Sequence, residues 1–143
     1  MTPEEAFAAI PLAAVCCDSS FNHREGQVVH RQLEVRWPYR EMTPEALKAL
    51  LDGLLRRIRE GGWGGMVQAA AAALTPEQRE TAFAIATEII FSNHLVTPEE
   101  QRFLSQLAET LPLPPERARR IVEVFYILKL DALREAPPQP VGG

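Results

Sequence analysis

The tripeptide Thr-Pro-Glu occurs four times in this sequence, each time just before a segment with helical spacing of apolar residues, at Thr2, Thr43, Thr75 and Thr97. All three residue types suit the start of an α-helix. Threonine accepts a hydrogen bond from a backbone N–H that lacks a partner within the helix, and proline lacks an N–H where none is needed. Glutamate is stabilised by the positive end of the helix dipole. The sequence therefore predicts four helices that begin at these tripeptides.

Two further helix starts complete the predicted fold. Pro114-Pro115-Glu116 opens one helix, and Asn22-His23-Arg24-Glu25 has the spacing of a capping box. Gln27 to Trp37 alternates only weakly between apolar and polar residues, so we expect helix there as well. The sequence predicts an all-α fold, a compact bundle of six to seven helices, with starts near residues 3, 23, 44, 76, 98 and 115.

Two of these helices have clear apolar stripes that we expect to face the core. The stripe of the third helix consists of Leu47, Leu50, Leu51, Leu54, Leu55 and Ile58. The stripe of the last helix consists of Ile121, Val124, Phe125 and Leu128.

Proline and glycine mark the expected interruptions. Pro11 cannot donate the hydrogen bond of a helix interior and should kink or split the first helix near Ile10. The Gly61–Gly65 cluster should end the third helix, with a short alanine-rich helix from Met66 to Leu74 after it. Residues 134–143 hold three prolines and two terminal glycines, so we expect a disordered tail after a single domain of residues 1–133.

Composition and charge narrow the classes of function. The 143 residues carry a net charge of −4, which argues against nucleic acid as a partner because phosphate binding needs a clustered basic surface. No segment reaches the roughly 20 apolar residues of a membrane-spanning helix, and the acidic N-terminus is unlike a signal peptide. The adjacent residues Cys16 and Cys17 are typical of buried thiols in a reducing compartment. We therefore expect a cytoplasmic protein.

The chain also contains an internal repeat of helix, loop and helix. Asp18 and Asn93 each end a helix, and a glutamate follows each of them seven residues later, at Glu25 and Glu100. In both units a capping residue stands three places before that glutamate. Glu100 precedes the apolar residues Phe103, Leu104, Leu107 and Leu111 by helical intervals, so its carboxylate should lie beside the buried stripe.

This repeated pattern resembles the TerB-type tellurite-resistance proteins. The segment Phe83 to Thr110 carries most of the likeness, which includes Asn93, Val96, Thr97, Pro98, Glu100, Leu104 and Leu107. The first unit, Ala13 to Val35, matches more loosely, and the resemblance spans roughly residues 4 to 130. It implies an all-helical domain with pseudo-twofold organisation, a cytoplasmic location and a link to tellurite and other stress responses. It further implies an acidic site for a divalent cation between the units, formed by Asp18, Glu25, Asn93 and Glu100.

The residues themselves leave alternatives to this cation site open. Where the family has Asp-Gly, this chain has Asp18-Ser19 and Asn93-His94, so the second loop lacks a charge that a hard cation prefers. Glu25 and Glu100 would occupy the same positions if they only closed capping boxes.

Two other groups of residues raise weaker hypotheses. His23, His30 and Glu34 share one face of the second helix and form a separate candidate for a zinc site, although exposed residues of these types are common without a metal. Trp37-Pro38-Tyr39 fits a packed loop or an aromatic contact site.

The sequence supports a non-enzymatic protein, because no nucleophile–base pair, phosphate loop or cofactor motif accompanies the carboxylates. Two hypotheses follow. In the first, the chain is a cation-responsive, TerB-like stress module that works with other proteins of a stress-resistance system, with a divalent metal ion as its cofactor. In the second, it is a helical protein-interaction module without a functional metal site. The identity of the ion, the partner and the oligomeric state do not follow from the residues.

Overall fold

The chain folds into helices, as its helix-start signals predict. The structure, a computed structural model, describes residues 1–17, 23–92 and 96–133, the first three residues of the second range by backbone alone. Regular structure in this part of the chain consists of seven α-helices and one 3-10 turn, without a strand. The helices are α1 (Pro3–Cys16), α2 (His23–Glu34), α3 (Pro44–Gly61), α4 (Trp63–Ala72), α5 (Pro76–Phe91), α6 (Pro98–Thr110) and α7 (Pro115–Lys129).

All six predicted helix starts are confirmed. Four threonines cap the helices that begin at the Thr-Pro-Glu tripeptides, because the hydroxyl of each accepts a hydrogen bond from a backbone N–H three residues later. In α1, α5 and α6 the side chain of the residue at that third position also accepts a hydrogen bond from the backbone N–H of the threonine, which completes a capping box.

Helix α1 lies at the centre of the bundle, and α2, α3, α4 and α5 all pack against it. From Ala8 to Val15 every side chain of α1 is buried, and many of these residues are alanines. A helix that is apolar on all sides requires neighbours on all sides, and small side chains let those neighbours approach. These four helices therefore pack around α1.

Of the kink or split predicted for α1 near Ile10, the split is wrong, whereas the kink stays a prediction. The helix runs without a break from Pro3 to Cys16, and Pro11 is buried within it. Its pyrrolidine ring removes one hydrogen bond of the helix, a local cost that the burial of the surrounding side chains against α4 and α5 offsets.

The glycine cluster joins two helices more tightly than the sequence predicts. Helix α3 ends at Gly61 as expected, but α4 already begins at Trp63 rather than Met66 and ends at Ala72 rather than Leu74. Gly62 alone makes the turn, with a positive φ of 77° that side chains rarely adopt. The Trp63 ring packs edge-on against Phe103 of α6 at a centroid distance of 4.7 Å, which adds apolar contact to the first turn of α4.

The apolar stripe of α3 faces the core as predicted. Leu47, Leu51 and Leu54 are buried, while Leu50, Leu55 and Ile58 are partly buried against the same core. The stripe of α6 behaves in the same way, with Phe103, Leu104 and Leu107 buried. These stripes and α1 share one continuous apolar core.

Two features concern the cellular location that the sequence predicts. In the part of the chain that the structure describes, no helix combines the length and the apolar character needed to cross a membrane. Cys16 and Cys17 are half-buried thiols at the end of α1, which is less burial than the sequence suggests. The predicted tail at residues 134–143 lies outside the described residues, so the division into a domain of residues 1–133 and a disordered tail stays a prediction.

Candidate functional site

Glu100 lies at the start of α6, with its carboxylate beside the core as its spacing predicts. The residue is only 6% exposed. Its Oε1 atom accepts a hydrogen bond from the Thr97 backbone N–H at 2.9 Å, and its own N–H donates to Thr97 Oγ1 at 3.1 Å. This reciprocal pair is a capping box, so the structure gives Glu100 a role at the helix start.

Among the helix starts that the structure describes in full, two others have the same capping geometry. At α1 the Thr2 N–H donates to Glu5, and this backbone bond lowers the pKa of the Glu5 carboxyl. At α5 the equivalent position is Gln78, whose Oε1 accepts from the Thr75 N–H at 2.9 Å. An uncharged amide therefore serves as well as a carboxylate in this position. Glu5 and Gln78 are more exposed than Glu100. Glu100 therefore differs from these two residues in its burial and not in its capping bonds.

The other three predicted cation ligands cannot be placed next to Glu100. Asp18, Asn93 and the side chain of Glu25 lie outside the described part of the chain. Among the described residues, no group of three or more histidine, cysteine, aspartate or glutamate side chains could hold a metal ion. The four-residue cation site stays a prediction, because that finding covers only one of its members.

The weaker zinc candidate is partly described. His30 Nδ1 lies 3.3 Å from Glu34 Oε2, one helical turn away along α2. The His30 side chain is half-buried and Glu34 is exposed. This arrangement is a local ion pair of the kind that stabilises helices when the imidazole is protonated. The side chain of His23 lies outside the described residues, so the three-residue site stays a prediction.

Helix α7 packs against α5 through a bridge of charged groups and a stripe of apolar ones. Arg117 donates two hydrogen bonds to the Glu80 carboxylate, both 2.7 Å long, and they hold the pKa of Glu80 below its usual value. Near the other end of α7, Lys129 Nζ lies 5.9 Å from the centroid of the Phe91 ring. These two contacts lie on the side of α7 that faces α5.

The predicted core-facing stripe of α7 is only half correct. Ile121 and Phe125 are partly buried, but Val124 and Leu128 are exposed. Ala118 is buried, and Ile121 and Val122 pack against the core, so this part of α7 faces the bundle. Val124 and Leu128 continue the same helical spacing, but they lie further along α7 and are exposed.

The second half of α7 and Leu130 carry an exposed apolar surface, which we name the α7 outer patch. It consists of Val124, Ile127, Leu128 and Leu130, whose exposed fractions are 53%, 63%, 71% and 44%. The sequence predicts that Val124 and Leu128 face the core, so it does not predict this surface. The signal for it is the run VFYILKL at 124–130, which is apolar around nearly the whole helix although only one side can face the bundle.

Of the two aromatic residues in the loop after α2, one lies in the core and the other is exposed to solvent. Tyr39 is buried, which raises the pKa of its phenol, and its hydroxyl donates a hydrogen bond to the Glu4 carbonyl. Trp37 is 65% exposed, next to an exposed Val35. The prediction of a packed loop is therefore confirmed for Tyr39 and wrong for Trp37. Tyr39 is held in place because its hydroxyl reaches the backbone of α1.

No family model, no curated protein and no solved structure matches this chain. The resemblance to TerB-type proteins therefore depends on the residues that carry it, and its functional implications are proposals.

Glu100→Gln should keep the start of α6 intact, because the amide oxygen still accepts the bond from the Thr97 N–H. We expect it to lower the free energy of unfolding by less than about 0.5 kcal/mol, whereas Glu100→Ala should lower it by about 1 kcal/mol. Urea unfolding measures both values. Gln78→Ala is the matched control for loss of an uncharged cap. Equal losses for Glu100→Gln and Glu100→Ala would contradict a capping role, because they would show that the charge itself matters.

Proposed function

We propose that this protein is a non-enzymatic helical module that binds another protein through the α7 outer patch. The observation that carries this proposal is the exposure of Ile127 and Leu128, which are 63% and 71% exposed on a helix that already packs against α5. Large apolar side chains grouped on one surface of a folded protein mark sites of interaction.

The surroundings of the patch fit a protein interface. Its N-terminal neighbours on α7 are charged residues of both signs, Glu116, Arg119, Arg120 and Glu123, all exposed. Ion pairs connect Arg119 to Glu116 at 2.8 Å and to Glu123 at 3.8 Å. An apolar centre beside a polar margin is the usual arrangement of an interface between proteins, and mixed charge disfavours a polyanion such as nucleic acid.

The resemblance to TerB-type proteins suggests the setting of this interaction. Under this proposal the partner belongs to a cytoplasmic stress-resistance system, and the module contributes binding rather than catalysis. The fold suits such a role, because α1 and the capped helices form the stable body while α7 presents a surface that the core does not need.

Site-directed photo-crosslinking tests the proposed binding surface. With a photoreactive benzoylphenylalanine in place of Ile127, irradiation of intact cells of the native host should yield one discrete crosslinked species. The same amino acid in place of Gln68, an exposed residue of α4, is the matched control and should yield none. Leu128→Glu should suppress the crosslink at 127 without lowering the melting temperature, because Leu128 adds little to the core.

Crosslinks of equal yield at positions 127 and 68, or no crosslink at either, would refute the proposal. A lower melting temperature for Leu128→Glu would also count against it, since that result would place the side chain in the core.

A second candidate function is the cation-responsive, TerB-like module. The burial of Glu100 favours it, since a carboxylate that serves only as a cap does not need to be buried, as Glu5 shows. Under this proposal a divalent cation would bind Glu100 together with Asp18, Glu25 and Asn93, whose oxygen atoms are suitable ligands for hard cations.

A thermal-shift screen against calcium, magnesium, manganese, zinc and nickel tests the cation proposal. We expect one of these ions, at about 100-fold excess over its Kd, to raise the melting temperature of the parent by about 5–10 °C. Glu100→Gln keeps the cap and removes the charge, so it should lose most of that rise, and Asp18→Asn should do the same. If no ion stabilises the parent, or if Glu100→Gln responds as the parent does, the cation site is refuted.

A further inference from the structure

We propose that the first turn of α4 is a hinged cover over Phe103 of α6, and that it opens while the rest of the bundle stays folded. In the closed state Trp63 packs against Phe103, whose side chain is only 2% exposed. In the open state Trp63 leaves Phe103 and exposes it to solvent. This inference does not depend on the proposed function, because it does not involve α7.

A single side chain attaches this turn to the bundle. All residues from 61 to 65 are glycines except Trp63, and the four glycines are exposed. The Trp63 ring is partly buried against the core and meets the Phe103 ring edge-on at a centroid distance of 4.7 Å. Because glycine has no side chain, the attachment of the turn depends on this contact.

The fold does not require glycine at positions 64 and 65. A Cβ atom added at either position would meet nothing within 4 Å, and neither residue has a positive φ. Glycine makes a helix less stable than alanine does, because a glycine backbone gains more freedom when the helix opens. Gly64 and Gly65 therefore favour opening of this turn without serving the packing of the closed state.

The start of α4 also lacks the side-chain cap that four other helices have. Threonine hydroxyls cap α1, α3, α5 and α6, whereas α4 follows Gly62, which has no side chain to accept a bond. The Gly62 N–H instead donates to the Ile58 carbonyl at 2.7 Å, a bond that closes the end of α3. Helix α3 can therefore keep its end when the first turn of α4 opens.

The remainder of α4 is held by burial. Met66 and Val67 are 4% and 0% exposed, Ala70 and Ala71 are also buried, and α4 packs against α1. Segments with few buried contacts open at a lower free energy than the segments that form the core. The hinge therefore lies between Gly65 and Met66.

Opening of the turn changes the surface of α6. Phe103 lies three residues after Glu100, so both side chains are on one side of the helix, and both are buried in the closed state. Release of Trp63 therefore exposes an apolar ring one turn away from a buried carboxylate.

Native-state hydrogen exchange of the full chain, followed by NMR, tests the hinge. The helical pattern pairs the amides of Met66 and Val67 with the carbonyls of Gly62 and Trp63, so both amides exchange when the first turn opens. We expect Gly64→Ala and Gly65→Ala each to slow this exchange about two- to fivefold. Gly53→Ala in α3, where an added Cβ also meets nothing within 4 Å, is the matched control and should leave both rates unchanged.

A second substitution tests whether opening releases Trp63 from Phe103. Phe103→Leu removes the contact between the two rings, which only the closed state makes, so the amides of Met66 and Val67 should exchange about two- to tenfold faster. Phe83→Leu removes another buried ring, in α5, and is the matched control. It should leave these two rates unchanged, because opening of the turn does not disturb Phe83.

Three results would overturn the proposal. Exchange at Met66 and Val67 as slow as at the buried Ile10 of α1 would show that the turn opens only with the whole protein. Rates in both glycine variants equal to those of the parent would remove the hinge. Rates in Phe103→Leu equal to those in Phe83→Leu would show that Trp63 stays on Phe103, and if Phe103→Leu does not fold, the glycine variants still decide the hinge.

Discussion

The burial of α1 on all sides is the constraint on which the rest of the structure depends. Because its alanines are small, neighbouring helices can approach closely, and α2, α3, α4 and α5 all pack against it. Once those positions are taken, α6 and α7 pack on the outside of the bundle, α6 against α4 and α5, and α7 against α5. The position of α7 explains why its apolar residues exceed what its contact can bury.

The exposed side of α7 and the buried carboxylate of Glu100 show how the fold creates candidates for function. Ala118, Ile121 and Val122 face the bundle, whereas Ile127 and Leu128 further along α7 are exposed. The Thr97 N–H holds the Glu100 carboxylate in a cap at the start of α6. At the start of α5, the uncharged Gln78 fills the same role with Thr75. The first feature takes no part in the core of the described fold, whereas the second already caps a helix, so we propose protein binding as the function.

Local signals predicted much of this fold, because helix starts depend on short-range chemistry. Each Thr-Pro-Glu acts within one turn, so the helix starts at Pro44 and Pro98 follow from the sequence. Continuity through Pro11 and the orientation of α7 depend instead on tertiary packing, which no window of sequence contains. The convergence of Asp18, Glu25, Asn93 and Glu100 is also a tertiary property, so the repeat that suggested it could not establish it.

Unfolding of Ala9→Leu tests most directly whether the fold depends on small side chains in α1. Ala9 is fully buried, so a leucine there must displace a neighbouring helix or adopt a strained conformation. We predict a loss of about 1–3 kcal/mol in the free energy of unfolding, measured by urea denaturation. Ala49→Leu, at an exposed position of α3, is the matched control and should change the same quantity by less than about 0.5 kcal/mol. Equal stability of Ala9→Leu and the parent would contradict the account, because it would show that α1 is not tightly enclosed.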